Sequence, residues 1–203
     1  MEELKSNKVF VGLNVFSSVI MSFMMALTGP TLQIYFMSQV STQLLAFVNM
    51  LAVGIAVVSN GSANSKKMLR LYHQYFPLVV IVDVLAFIAV STIGEYHIEV
   101  RFIGMAVITA VSTAIWSIVM NNVLNNIWAG DERTRLSANL KTAALIGSFI
   151  GGGILIMLPE GGIGVHNCII FQCVCMTIDG IANYIIHRMY EKAKVNEPAK
   201  VEE

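Results

Sequence analysis

Two aspartates stand alone in otherwise apolar stretches of this chain. Asp83 lies in the run from Tyr75 to Ile93 and Asp179 in the run from Val165 to His187, and neither run contains a lysine or arginine. A carboxylate near the centre of a membrane helix costs about 2.5 to 3.5 kcal/mol on insertion scales, so something must offset that charge or remove it. An acid deprived of water holds its proton and releases it when water enters, which is the behaviour a proton-coupled transporter needs. The plainer alternative is a structural acid hydrogen-bonded to a neighbouring helix, and both readings stay open on the residues alone.

Uncharged polar residues form the second set. Asn121, Asn122, Asn125 and Asn126 close one apolar stretch, with Thr109, Ser112, Thr113 and Trp116 earlier in it at roughly helical spacing. Asn14 and Gln33 occupy the first stretch, and Asn49 the second. Such side chains can hydrogen-bond a solute, or can join helices and cap their ends. Gly147 and Gly151 form a G-x-x-x-G pair, extended by Gly152 and Gly153, which allows close approach of another backbone.

Other chemistries find no support. The chain has no phosphate-binding G-x-x-x-x-G-K-[ST] loop, no H-E-x-x-H and no G-x-S-x-G, so no enzymatic activity is expected. Cys168, Cys173 and Cys175 share one apolar stretch, where thiols act as small hydrophobes. His73, His97, His166 and His187 are far apart in sequence. Neither a metal nor a cofactor is expected.

The elements that must position these residues follow from composition. Of 203 residues, 56% are apolar and 13% charged, with a mean hydropathy of +0.69. A soluble domain could not cover that much apolar surface, so the chain needs a lipid bilayer. Its formal net charge of zero removes any general argument for a nucleic-acid partner. About 20 helical residues cross a bilayer, and six stretches qualify. They run from Val9 to Phe36, Thr42 to Ser59, Tyr75 to Ile93, Val100 to Asn121, Leu136 to Leu158 and Val165 to His187. The expected fold is therefore an all-α membrane protein with six transmembrane helices. Residues 9–187 form the bundle, residues 1–8 an N-terminal tail and residues 188–203 a C-terminal tail. The first stretch is too long for a signal-peptide core and reads as a retained span. Within it, Gly29-Pro30 is expected to kink or end the helix.

Orientation follows from lysine and arginine in the short loops. With both tails in the cytoplasm, 12 of the 13 basic residues are cytoplasmic and only Arg101 falls outside.

Asp83-Val84-Leu85-Ala86 and Asp179-Gly180-Ile181-Ala182 both read D-x-[LI]-A. The copies lie three spans apart in the chain order, as in a three-plus-three inverted repeat. The segment from Gly130 to Leu140, with Arg133 and Arg135, leads into the glycine-rich run Gly147 to Gly153. It resembles the junction of the fourth and fifth helices in the major facilitator superfamily. Gly61-Ser62-Ala63-Asn64-Ser65-Lys66-Lys67 is similar to that family's signature between the second and third helices, although it is shorter and has Asn64 where the family usually has Asp. The proline of the drug-exporter motif in the fifth helix is also absent.

The resemblance implies half of a transporter: one six-helix bundle whose second copy supplies the other half, in a parallel homodimer. It also implies that the first and fourth helices line a central cavity, so Asn14, Gln33, Thr109, Ser112, Thr113, Trp116, Asn121 and Asn122 become candidates for contact with a solute. Asn64, Lys66, Lys67, Arg133 and Arg135 become candidates for a cytoplasmic gate, and Gly147, Gly151 and Gly152 for packing within the chain or between copies. The third and sixth helices are usually peripheral there, which favours the structural reading of the aspartates. No basic residue faces the expected cavity, so the solute is expected to be small and neutral or cationic. The expected location is a bacterial cytoplasmic membrane. The competing expectation is a six-helix substrate-binding subunit, like the vitamin-binding components of energy-coupling-factor importers. A non-transporting membrane protein is the third.

Overall fold

The computed structural model describes residues 2–92, 97–158 and 163–196, and in these the chain is helical between short connections. A short helix α1 (Glu2–Lys5) precedes six long ones: α2 (Lys8–Gln39), α3 (Thr42–Ala63), α4 (Lys66–Ser91), α5 (Ile98–Ile127), α6 (Gly130–Met157) and α7 (Val165–Val195). Each of the six is long and apolar enough to cross a bilayer. Within lipid every backbone amide must be satisfied inside the segment, and a helix achieves that. The protein is an all-α membrane protein of six spans.

Local sequence fixes where helices begin. Asn7 caps α2, its Oδ1 accepting from the amides of Val9 and Phe10 at 3.0 and 3.1 Å. Ser41 caps α3 by accepting from the Leu44 amide at 3.2 Å. The chain does not end its first span at Gly29-Pro30. Helix α2 runs through Pro30 to Gln39, because neighbouring helices can hold a membrane helix together across a missing amide donor.

Several helices outrun their apolar stretches at the end of the bundle that carries Lys5, Lys66, Arg70, Arg133 and Arg188. Arg101 sits at the opposite end, buried, with its Nη2 donating to the Ser91 carbonyl at 3.1 Å. The basic end is thus a collar of polar helix turns beyond the apolar slab.

The larger helix pairings share one pattern, from which the smaller α3–α4 contact departs because, among the described residues, α6 and α7 make none to match it. Helix α2 lies against α6 and α7, and α5 lies against α3 and α4, while α4 and α7 meet each other. Exchanging α2 with α5, α3 with α6 and α4 with α7 leaves these pairings unchanged. Two three-helix units therefore interlock, the first helix of each held by the second and third of the other: α2 by α6 and α7, and α5 by α3 and α4. The apolar core is split accordingly. One cluster, around Phe10, Phe76, Val123 and Ile186, fills the basic end, and another, around Leu32, Phe87 and Cys168, fills the opposite end.

Candidate functional site

Between these two apolar clusters lies a buried polar seam joining α2 and α7. Gln172 Nε2 donates to Thr28 Oγ1 at 3.0 Å, and Asn183 Nδ2 donates to Asp179 Oδ2 at 2.8 Å and reaches Ser17 Oγ at 3.4 Å. Asp179 is 7% exposed, and its Oδ1 has no hydrogen-bond partner among the described residues. Asp83 is half-buried on α4, and its Oδ1 likewise has none. The two acids are set in matching surroundings. Ser17 of α2 stands beside Asp179 of α7, and Ser112 of α5 stands beside Asp83 of α4. The exchange that preserves the helix packing also turns one Asp–Ser pair into the other.

Helix α7 is the most enclosed of the six spans. This differs from the peripheral third and sixth helices that the family resemblance led us to expect, and the polar seam is the physical reason: side chains such as Asn183 and Gln172 need partners that lipid does not offer.

The other candidate residues separate into groups. Thr109, Thr113 and Trp116 lie on an exposed face of α5, and Gln33 is exposed on α2. Asn14 is buried and donates to its own helix at the Phe10 carbonyl, 2.8 Å away. The four asparagines of α5 divide by helical register. Asn121 and Asn125 accept from Arg133 Nη2 and Nε at 3.2 and 2.8 Å, and the same guanidinium donates to Ser137 Oγ at 2.7 Å. Asn122 accepts from His73 Nε2 at 2.8 Å, and Asn126 Nδ2 donates to Tyr190 Oη at 2.7 Å. These residues knit α5 to α6 on one side and to α4 and α7 on the other. Arg135, Lys66, Lys67 and Asn64 are exposed at the same end, where the Asn64 amide closes the last turn of α3.

The glycines of α6 also divide. Gly147 and Gly151 lie against the backbone of α2: a β-carbon at Gly147 would strike the Val19 carbonyl oxygen, and one at Gly151 would stand 2.5 Å from that of Phe23. Gly152 and Gly153 have open space at the same position.

At the basic end a cavity of about 940 Å³ opens between α4, α5 and α7. Lys66, Arg70, His73, Asn122, His187, Arg188, Glu191 and Lys194 are among its lining residues. Sequence reading named Lys66 and Asn122 of this lining but not the meeting of His73 with His187, which are 114 positions apart. Ser17, Gln172 and Asn183 were missed too, although Asp179 and Asn183 at i, i+4 fall on one helix face and could have been read as a pair.

No protein-family model, curated protein or solved structure matches this chain.

Proposed function

We propose that this chain is a six-helix bundle similar to one half of a major facilitator superfamily transporter. Two copies pair in parallel, with both tails in the cytoplasm, and alternate access for a small neutral or cationic solute. The observation that carries this reading is the exchange relation between the two three-helix units, including the matched pairs Asp83–Ser112 and Asp179–Ser17. Inverted repeats of this kind let a bundle rock between two equivalent arrangements. The charge distribution supplies the orientation, because all the basic residues except Arg101 fall on the side assigned to the cytoplasm.

The exposed face of α5 with Thr109, Thr113 and Trp116 supports the pairing. Polar groups facing hydrocarbon are costly, whereas the same groups facing a water-filled cavity between two bundles are not. The solute would meet hydroxyls and an aromatic wall there, with Asp83 beside Ser112 of the same helix. In this reading the two aspartates carry the coupling proton, sitting behind the cavity helices rather than in the cavity itself.

The test is transport by the purified chain in liposomes with an imposed proton gradient, using ethidium as the first cationic solute and a pH-sensitive dye inside. Solute movement coupled to proton movement supports the reading. Liposomes that are as inert as empty ones to a broad panel of neutral and cationic solutes would count against it.

A further inference from the structure

We infer that His73, His187 and Glu191 form a site for a late first-row divalent cation such as zinc, at the basic end of the bundle between α4 and α7. His187 and Glu191 stand one turn apart on the same face of α7, and His73 comes from α4. Their ligand atoms converge: His73 Nδ1 and His187 Nε2 are 3.3 Å apart, and Glu191 Oε1 is 3.7 Å from the first and 3.9 Å from the second. A point equidistant from all three lies about 2.1 Å from each, the length of a zinc bond to imidazole nitrogen or carboxylate oxygen.

The hydrogen bond from His73 to Asn122 prepares one ring for a cation, and His187 Nε2, which donates to His73 Nδ1, becomes a ligand in the tautomer that carries its proton on Nδ1. Asn122 Oδ1 accepts from Asn126 Nδ2 at 3.1 Å and from His73 Nε2 at 2.8 Å. An amide oxygen only accepts, so the His73 proton sits on Nε2 and the lone pair of Nδ1 points toward His187 and Glu191. Asn122 thereby does for His73 what an outer carbonyl does for a metal-bound histidine. Glu191 Oε1 is buried and has no hydrogen-bond partner among the described residues, and His187 is 3% exposed. An unpartnered carboxylate oxygen beside two imidazole nitrogens is the donor set of a cation site, and two imidazoles with one carboxylate suit zinc better than calcium or magnesium.

Lys66, Arg70, Arg188 and Lys194 line the same cavity. Two neutral imidazoles and one carboxylate leave a divalent ion with a single positive charge, in a cavity that these four cations also line. An anion is therefore favoured as the fourth ligand, and it offsets the repulsion that the basic side chains exert on the metal. The ion would clip α4 to α7, the corresponding helices of the two three-helix units. This inference rests on the geometry of the triad and is independent of the transport reading.

The experiment is zinc binding to tag-free protein in lipid nanodiscs, by calorimetry, with cobalt absorption as a probe of the ligands. The expected result is one zinc per chain and a tetrahedral cobalt spectrum without thiolate charge-transfer bands. His73→Gln and Glu191→Gln should each weaken zinc by at least about tenfold, and Asn122→Ala by about tenfold through loss of ring orientation. Folding of each variant is checked by its helical circular dichroism and its elution as a single species. No zinc binding by the native chain would overturn the site. So would zinc bound equally well by folded His73→Gln or Glu191→Gln, or a cobalt spectrum with thiolate bands from Cys168, Cys173 or Cys175.

Discussion

Gly180 of α7 packs against Val84 of α4, the residue that holds its own place in the other D-x-[LI]-A segment. A β-carbon on Gly180 would lie 3.8 Å from Val84 Cγ2 and 2.9 Å from Val80 Cγ1. The two copies of the motif thus meet each other where α4 crosses α7. Gly180→Val should force α4 and α7 apart and cost about 1 to 3 kcal/mol, the usual range for overpacking a filled contact. A fall in the midpoint of thermal unfolding in detergent checks this, and Val84→Ala in the same background should recover little, because Val80 is the nearer obstacle.

The aspartates are predicted to matter for coupling more than for folding. Asp179→Asn keeps the shape of the side chain and an oxygen that can accept from Asn183, and Asp83→Asn is equally conservative beside Ser112. Each variant should insert and unfold near the native temperature yet lose gradient-driven uptake. Uptake at native rates in both variants would remove the aspartates from the mechanism.

Arg133 ties the α5–α6 turn together through Asn121, Asn125 and Ser137. A lysine keeps the charge but cannot present a planar fork to three acceptors. Arg133→Lys is therefore expected to lose about 1 to 3 kcal/mol, in the range of hydrogen bonds to charged groups, and Arg133→Ala a similar amount. Thermal unfolding of the two variants side by side separates the fork from the charge: a fully native Arg133→Lys would mean that charge alone is needed.

Neighbouring glycines of α6 should behave differently. Gly151→Leu drives a side chain into the backbone of α2 and should prevent stable folding. Gly152→Leu has open space within the chain, so it should leave the bundle intact. If that face meets a second copy, it should also shift dimer to monomer. Size-exclusion chromatography with light scattering in detergent reads both effects.

The six spans were legible because a bilayer demands long apolar helices and tolerates little else, so stretches such as Thr42 to Ser59 could be read almost directly. The ends were less legible. Beyond Asn121 or before Tyr75 polar residues interrupt the apolar run, so hydropathy alone does not mark where α5 ends or α4 begins. The aspartates were visible as isolated charges, but Ser17 and Ser112 could be assigned to them only once the helices were placed. The asparagines of α5 illustrate the limit most clearly. Their polarity was evident, but which face each one takes depends on partners from other helices: Arg133 for Asn121 and Asn125, His73 for Asn122, Tyr190 for Asn126. His187 and Glu191 at i, i+4 share a helix face, but the arrival of His73 beside them carries no local signal, because it is a product of the α4–α7 crossing.

In the proposed mechanism two such bundles work together. Native mass spectrometry of the chain purified alone and held in lipid nanodiscs counts the copies in each particle. A stable dimer that persists on dilution is expected. A persistent monomer would contradict it and would point instead to a binding subunit that depends on another protein to move its ligand.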